Sequence, residues 1–355
     1  MTHFGITLTL INTSMDRLSH SILVCDIYNY ILIFLIFNFQ TPVYSNINMP
    51  LLTIENLGMA TATYLGVRIG LLIFRGIKNH LASPTDVTKL GSWALVTGAT
   101  DGIGKAYCFA LAARGLNIVL VSRNPDKLKD VASVIEANHK VKTKVVIVDF
   151  KTSDAEYIPR VREAVQGLEI GVLVNNVGMM YNNPDEFLAV DSGEELFRDM
   201  VSVNITSVNA MTRLCLPYMV ERNKGAIINI ASVASVLPGP LISVYGATKA
   251  YVDRFSTSLR QEYCSKGIEV QTVLPGYVVT NMSRVPESLL APNADNYVKS
   301  ALSHLGVHSR TTGYWGHYFI MWLPNIVPEA ILNKFIMGAI EKGRERVLAR
   351  REKEK

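Results

Sequence analysis

Five short, nearly continuous apolar runs punctuate the middle of this chain, with helix-like stretches between them. They are Trp93-Ala-Leu-Val-Thr97, Asn117-Ile-Val-Leu-Val121, Val145-Val-Ile-Val148, Gly171-Val-Leu-Val174 and Ala226-Ile-Ile-Asn-Ile-Ala231. Runs of this length without polar alternation suit strands covered on both faces. Their alternation with helical stretches from about residue 92 to 275 predicts an α/β fold: one doubly wound parallel sheet in a single domain.

Two stretches outside this region are apolar enough to suggest N-terminal membrane segments. Residues 21–39 are rich in Ile, Leu and Phe; residues 57–74 are apolar apart from Arg68. In the second, eight large apolar residues contribute about −0.3 to −0.6 kcal/mol each, against about +2.5 to +3.5 for a central arginine, so the sum lies near zero. Arg75 and Lys78 follow this segment while only Glu55 precedes it, which would leave the α/β domain on the cytosolic side. The expected organisation is an extension over 1–48, an anchor region over 49–80, the α/β domain over 88–312 and an apolar segment with a basic tail over 313–355. Within the last, Tyr314-Trp-Gly-His-Tyr-Phe-Ile-Met-Trp-Leu323 reads equally as core, as a lid over a lipid substrate, or as a membrane-surface helix.

Composition narrows this picture. The chain has 355 residues, 49% of them hydrophobic, and a net charge of +5. Residues 341–355 hold +3 of that charge, in a run that is short, mixed in sign and free of interleaved aromatics, so nucleic-acid binding is not expected. Cys25, Cys108, Cys215 and Cys264 are scattered without metal-ligand spacing. They read as buried or incidental thiols in a reducing compartment, and no metal site is expected.

Candidate chemistry begins where the first run enters Gly98-Ala-Thr100-Asp101-Gly102-Ile103-Gly104. A strand, a glycine turn and a helix N-terminus make a phosphate site, because glycines admit close backbone approach and helix N–H groups favour negative charge. An NAD-selective site would place an acid about 20 residues further on. Arg123 stands there instead, and arginine suits a 2′-phosphate, so the expected cofactor is NADP(H). Asp149 and Asn176 sit at further strand ends, where ligands gather in open parallel sheets.

Tyr245-Gly-Ala-Thr-Lys249 adds a reactive pair. Residues four apart share a helix face, and a lysine cation beside a phenol favours phenolate. Asn204, Ser232, Tyr245 and Lys249, in this order behind the glycine turn, resemble the catalytic tetrad of the classical short-chain dehydrogenase/reductases, which have a Rossmann-like fold. Nothing in the tetrad departs from that pattern. The resemblance covers roughly residues 90 to 285. Thr97 to Gly104, Leu168 to Met179 and Leu216 to Arg222 look like one branch, the very-long-chain 3-oxoacyl-CoA reductases, also called 17β-hydroxysteroid dehydrogenases type 12, with the related type 3 enzymes. Asn175-Asn-Val-Gly178 replaces the wider family's N-N-A-G, as is usual in this branch.

The resemblance implies a role for each residue. Ser232 would orient the substrate oxygen and Tyr245 would donate its proton, both touching substrate. Lys249 would depress the Tyr245 pKa and hold the nicotinamide ribose, and Asn204 would anchor a water that resupplies protons. Pro275, Gly276, Val278 and Thr280 would border the nicotinamide. The implied activity is reduction of a long-chain 3-oxoacyl-CoA to the 3-hydroxyacyl-CoA, with a steroid ketone as the alternative substrate. The implied setting is the endoplasmic reticulum membrane with the catalytic domain cytosolic. A homodimer is a candidate assembly, because homodimers are common in the wider family. Members of the branch begin about where Met49 lies, so residues 1–48 read as an unusual extension or as the product of an upstream start site. The sequon Asn204-Ile-Thr206 is rejected as a glycosylation site, because it falls inside the catalytic fold.

Overall fold

The structure of the protein is a computed structural model that describes residues 58–59, 61–67, 69–70, 83–325 and 327–354. The chain divides into two units, Met1–Phe74 and Arg75–Lys355. In the second, strands β1 (Trp93–Thr97), β2 (Asn117–Ser122), β3 (Thr143–Ile147), β4 (Ile170–Asn175), β5 (Gly225–Ile230), β6 (Ile268–Val273) and β7 (Arg310–Thr311) form one sheet. Their order is β3-β2-β1-β4-β5-β6-β7, and every pairing is parallel. The doubly wound sheet expected from the apolar runs is present.

The helices are α1 (Gly102–Ala112), α2 (Pro125–His139), α3 (Asp154–Val165), α4 (Gly193–Val201), α5 (Ser207–Glu221), α6 (Ser243–Tyr263), α7 (Ala294–Leu302), α8 (Trp315–Trp322) and α9 (Glu329–Glu354). Local chemistry starts several of them. The Asn124 side chain accepts from the Lys127 amide with Pro125 in the first turn of α2, and Asn293 caps α7 through the Asn296 amide. Each such cap is worth about 1 kcal/mol.

Alternation along the strands sorts side chains onto two cores. Ala94, Val96, Ile118 and Leu120 pack with Leu111 of α1, Leu128 and Ile135 of α2, and Val298 of α7. Leu95, Val119, Val121 and Leu173 pack on the other face with Val161 of α3, Met211 and Cys215 of α5, and Leu259 of α6. Fully burying one such side chain contributes about 1.5–3 kcal/mol, so both faces of the apolar runs need a cover. Cys108 and Cys215 are free and buried, and Cys264 is free and exposed. Burial pushes the Cys215 thiol up to about 12, which leaves it unreactive at neutral pH.

From β1 the chain winds outward to β3, then returns to β4 on the opposite side of β1. This reversal opens a crevice at the strand C-termini, where ligands bind in such sheets. The glycine turn follows β1, Asn176 follows β4, Ser232 follows β5 and Pro275 follows β6.

The membrane expectations are not met. Among the described residues no helix is long and apolar enough to cross a membrane. A span needs about 20 consecutive apolar residues. In the stretch 57–74 the described helical residues are 58–59, 61–67 and 69–70, and threonines and glycines interrupt their apolar side chains. The segment 21–39 and the rest of the extension 1–48 lie outside the described residues. The N-terminal membrane segments, the membrane as a partner, and residence in the endoplasmic reticulum membrane with a cytosolic catalytic domain are therefore withdrawn. The aromatic stretch 314–323 forms the short helix α8, only eight residues long. The basic tail continues α9, which Arg344 ties back to Asp185 at 2.6 Å.

Candidate active site

Two left-handed residues make the turn after β1. Gly98 has φ +66° and Gly102 has φ +50°, a region that costs other residues about 1–2 kcal/mol. Gly104 is required for a different reason, close approach. A Cβ there would sit 2.3 Å from the Gly98 carbonyl oxygen and 2.3 Å from Asn176 Nδ2. Asn176 braces the turn by donating from Nδ2 to the Thr97 carbonyl at 2.9 Å. Thr97 Oγ1 accepts from the amides of Asn176 and Val177, each at 3.0 Å.

The turn leads directly into the N-terminus of α1. The Asp101 carboxylate caps that helix by accepting from Gly102 N at 2.7 Å. Its other oxygen accepts from Asn281 Nδ2 at 2.6 Å, so both oxygens shape the turn. Thr280 packs on Gly102, where a Cβ would come within 2.8 Å of its methyl. Ile103 packs against the α1 core, and Val278 is buried. Thr100 Oγ1 and Ser122 Oγ lie 3.0 Å apart, linking the turn to the end of β2. There Arg123 is exposed. Asp149, also exposed, caps the turn after β3 by accepting from Lys151 N at 3.0 Å. A cradle without Cβ atoms, a helix N-terminus and an exposed arginine at the β2 edge fit a dinucleotide carrying a 2′-phosphate.

A cleft of about 1170 Å³ opens beside this turn and is lined by Asp101, Gly102, Lys105, Thr280 and Arg284 among others. No tetrad residue lines it, so it does not mark where a ketone would sit.

Tyr245 and Lys249 lie one turn apart on α6, as their spacing requires. Lys249 is buried at 4% exposure and donates from Nζ to the Ile230 carbonyl at 3.0 Å. Its Nζ lies 5.9 Å from the centre of the Tyr245 ring. Burial pushes the lysine down to about 8. The phenol of Tyr245 is held above its ordinary value, first by burial; the Ser232 hydroxyl pulls the other way, and the nearby Tyr277 phenol adds to the rise. The depression of Tyr245 expected from Lys249 is not met: burial raises the phenol, and the opposing pull comes from the Ser232 hydroxyl. Ser232 is itself buried and accepts from Ala234 N at 3.2 Å.

Asn204 sits in a π-turn, Ser202–Thr206, between α4 and α5. Such turns open the helical ladder and re-aim a side chain. Asn204 is fully buried, out of reach of any glycosylating enzyme. Oδ1 accepts from Met179 N at 2.8 Å, while Nδ2 donates to the Met179 carbonyl and to Thr248 Oγ1, both at 2.9 Å. A Cβ on Gly178 would lie 3.3 Å from Lys249 Nζ and 3.5 Å from Asn204 Oδ1. Gly178 therefore marks where the Asn204 and Lys249 side chains converge.

The fold thus gathers the turn residues, Asn176 and Thr280 in one cluster, and Ser232, Tyr245, Lys249 and Asn204 in a second. Arg123 and Asp149 stand apart at their strand ends. Sequence reasoning missed Thr97, which knots β1 to the segment after β4, and Thr248, which holds Asn204. It also missed a buried ladder in which Asn175 Nδ2 donates to Asn229 Oδ1 at 2.8 Å and Asn229 Nδ2 to Ser256 Oγ at 2.8 Å. A polar residue inside an apolar strand, as at Asn229, was the one available signal.

Comparison with known proteins agrees with this geometry. The short chain dehydrogenase family matches residues 92–288. The very-long-chain 3-oxoacyl-CoA reductase of Mus musculus is 43% identical over 303 residues, covering 83% of this chain and 95% of the relative. Among solved structures, a 7β-hydroxysteroid dehydrogenase studied for its stereoselectivity superposes with a TM-score of 0.63 at 25% identity, covering 69% of this chain and 96% of that one. A short-chain dehydrogenase from Sphingobium yanoikuyae in complex with NADPH gives a TM-score of 0.56 at 27% identity, over 72% of this chain and 95% of that one. The chain belongs to the short-chain dehydrogenase family and is an NADP(H)-dependent oxidoreductase.

Proposed function

We propose that this protein reduces the 3-keto group of a long-chain 3-oxoacyl-CoA to the 3-hydroxyacyl-CoA, with Tyr245 as general acid. The observation that carries the reading is the convergence of Ser232, Tyr245, Lys249 and Asn204 in a chain 43% identical to a very-long-chain 3-oxoacyl-CoA reductase. The glycine turn and Arg123 would hold NADPH, which when bound supplies the hydride for the carbonyl carbon.

The protein's own residues account for the rest. Ser232 donates to the ketone oxygen and orients it, as an oxyanion donor does. The general acid must hold its proton before the step, and burial keeps the Tyr245 phenol protonated at neutral pH. As negative charge forms on Tyr245, the Lys249 cation 5.9 Å from the ring stabilises it by about 3 kcal/mol at an effective dielectric of about 20. Asn204 braces the Met179 backbone and Thr248 beside that lysine.

A steroid ketone is the second reading, favoured by the likeness to a 7β-hydroxysteroid dehydrogenase. The acyl-CoA reading has the stronger support, 43% identity over 83% of the chain. The test is NADPH oxidation by the full chain, offered a long-chain 3-oxoacyl-CoA and separately estrone. Tyr245→Phe should lower turnover by about 10²–10⁴-fold, the usual worth of general acid catalysis, while NADPH binding changes little. Turnover of estrone alone would overturn the acyl-CoA reading, and an active Tyr245→Phe variant would overturn the mechanism.

A further inference from the structure

His317 is fully buried on α8, yet its ring bonds backbone from two distant segments. Gly276 N donates to Nδ1 at 3.1 Å. Nε2 lies 3.1 Å from the Tyr277 carbonyl and 3.1 Å from the Leu290 carbonyl. An amide hydrogen aimed at Nδ1 requires that nitrogen to be bare, so the proton sits on Nε2 and is shared between the two carbonyls. Gly276 is a glycine for the same reason, since a Cβ there would meet the ring at 2.8 Å.

The segment it holds reaches the chemistry. The Pro275 carbonyl accepts from Val233 N at 2.9 Å, next to Ser232, and the Tyr277 phenol acts on Tyr245. We propose that His317 is a positioning residue for the reduction: as a neutral imidazole it locks the Pro275-Gly276-Tyr277 turn to Leu290, and protonation of its ring releases the Gly276 end of that lock while Nε2 goes on donating to the Tyr277 and Leu290 carbonyls. A second proton on Nδ1 would face the Gly276 N–H and break that bond.

The surroundings favour the neutral ring. Tyr297 of α7 and Tyr314 stand against it at ring-centre distances of 5.7 and 5.4 Å. Among the described residues no carboxylate or cationic side chain bonds it; the backbone acceptors facing it are the Tyr277, Leu290 and Thr312 carbonyls. Burial lowers its pKa, and these three carbonyls partly oppose the shift.

The inference rests on the proposed reduction, so its test includes a readout that needs no substrate. His317→Asn keeps an acceptor near the Nδ1 position and does not titrate; His317→Leu has neither property. Hydrogen exchange of residues 274–278 in the full chain, corrected for intrinsic rates, is followed from pH 7.5 to 5. Protection in the wild type should fall about tenfold or more, while that of His317→Asn should stay level with pH. In parallel, kcat for NADPH-dependent ketone reduction should drop about tenfold in His317→Leu and be partly restored in His317→Asn, with the NADPH Kd within about threefold throughout. Neither Tyr245 nor Lys249 would cause an acid limb, because both are protonated there. His304→Asn, the control for the neighbouring His304–His308 pair, should keep the wild-type pH response. Equal pH responses in wild type and His317→Asn, or loss of the response in His304→Asn, would overturn the proposal. So would an unchanged kcat in a folded His317→Leu. If His317→Leu does not fold, the His317→Asn exchange profile decides alone. Absence of acyl-CoA turnover in the wild type would instead sink the proposed function and leave the exchange result standing.

Discussion

Lys249→Met should make the cofactor-free protein more stable while removing its activity. Lys249 is 4% exposed, and burial pushes it from its ordinary 10.5 to about 8. At about 1.4 kcal/mol per pH unit, that depression means the charged lysine costs the fold about 3 kcal/mol at pH 7. Methionine keeps the aliphatic stem but leaves the Ile230 carbonyl without its 3.0 Å donor, a loss of about 1 kcal/mol. The net expectation is a gain of about 1–2 kcal/mol at neutral pH. The sign with pH follows from proton counting. Between about 8 and 10.5 the unfolded wild type holds a proton that the folded wild type has released, so wild-type stability rises with pH across that window. Below the window both states hold it and this contribution is flat. Urea denaturation at pH 7 and pH 10 checks the argument: the stability difference should move by about 2–3 kcal/mol in favour of the wild type at the higher pH, cancelling or reversing the advantage of Lys249→Met. Equal or lower stability of the variant at pH 7, or a difference that does not move with pH, would refute the reasoning.

Gly104→Ala would place a Cβ 2.3 Å from a backbone oxygen, and overpacking of this kind costs about 1–3 kcal/mol. NADPH affinity, read by fluorescence titration, should fall at least tenfold. Gly115→Ala meets nothing within 4 Å but sits at φ +92°, so it should lose about 1–2 kcal/mol of stability and leave NADPH affinity alone. Arg123→Asp should move the NADPH/NADH preference in kcat/KM toward NADH, since it replaces the cation at the β2 edge with the acid that suits ribose hydroxyls. An unmoved ratio would remove Arg123 from the cofactor assignment.

The sheet was legible because strand burial leaves a local trace. β1, β2, β4 and β5 appear within about a residue of their apolar runs, and β3 begins earlier because Thr143 and Lys144 pair with β2 without being apolar. β6 and β7 had no such signature. Ile268–Val273 carries Glu269, Gln271 and Thr272, and β7 is only two residues long. The N-terminal membrane reading is withdrawn because, among the described residues, no helix is long and apolar enough to cross a membrane. At the site, the glycine turn and the Tyr245/Lys249 pair could be read because each lies within a few residues of chain.

The sequence by itself determined the parallel α/β architecture, the phosphate-ready turn and the Tyr245/Lys249 pair, since periodicity and close spacing are local properties; Asn204 and Ser232 were legible only through the resemblance to a family. Only the tertiary structure decided what surrounds them. It buried Lys249 enough to push its pKa down to about 8, raised the Tyr245 phenol by burial, and bonded His317 to Gly276, 41 residues away in the chain. Desolvation and long-range hydrogen bonds depend on which elements pack together, and no window of sequence contains both partners.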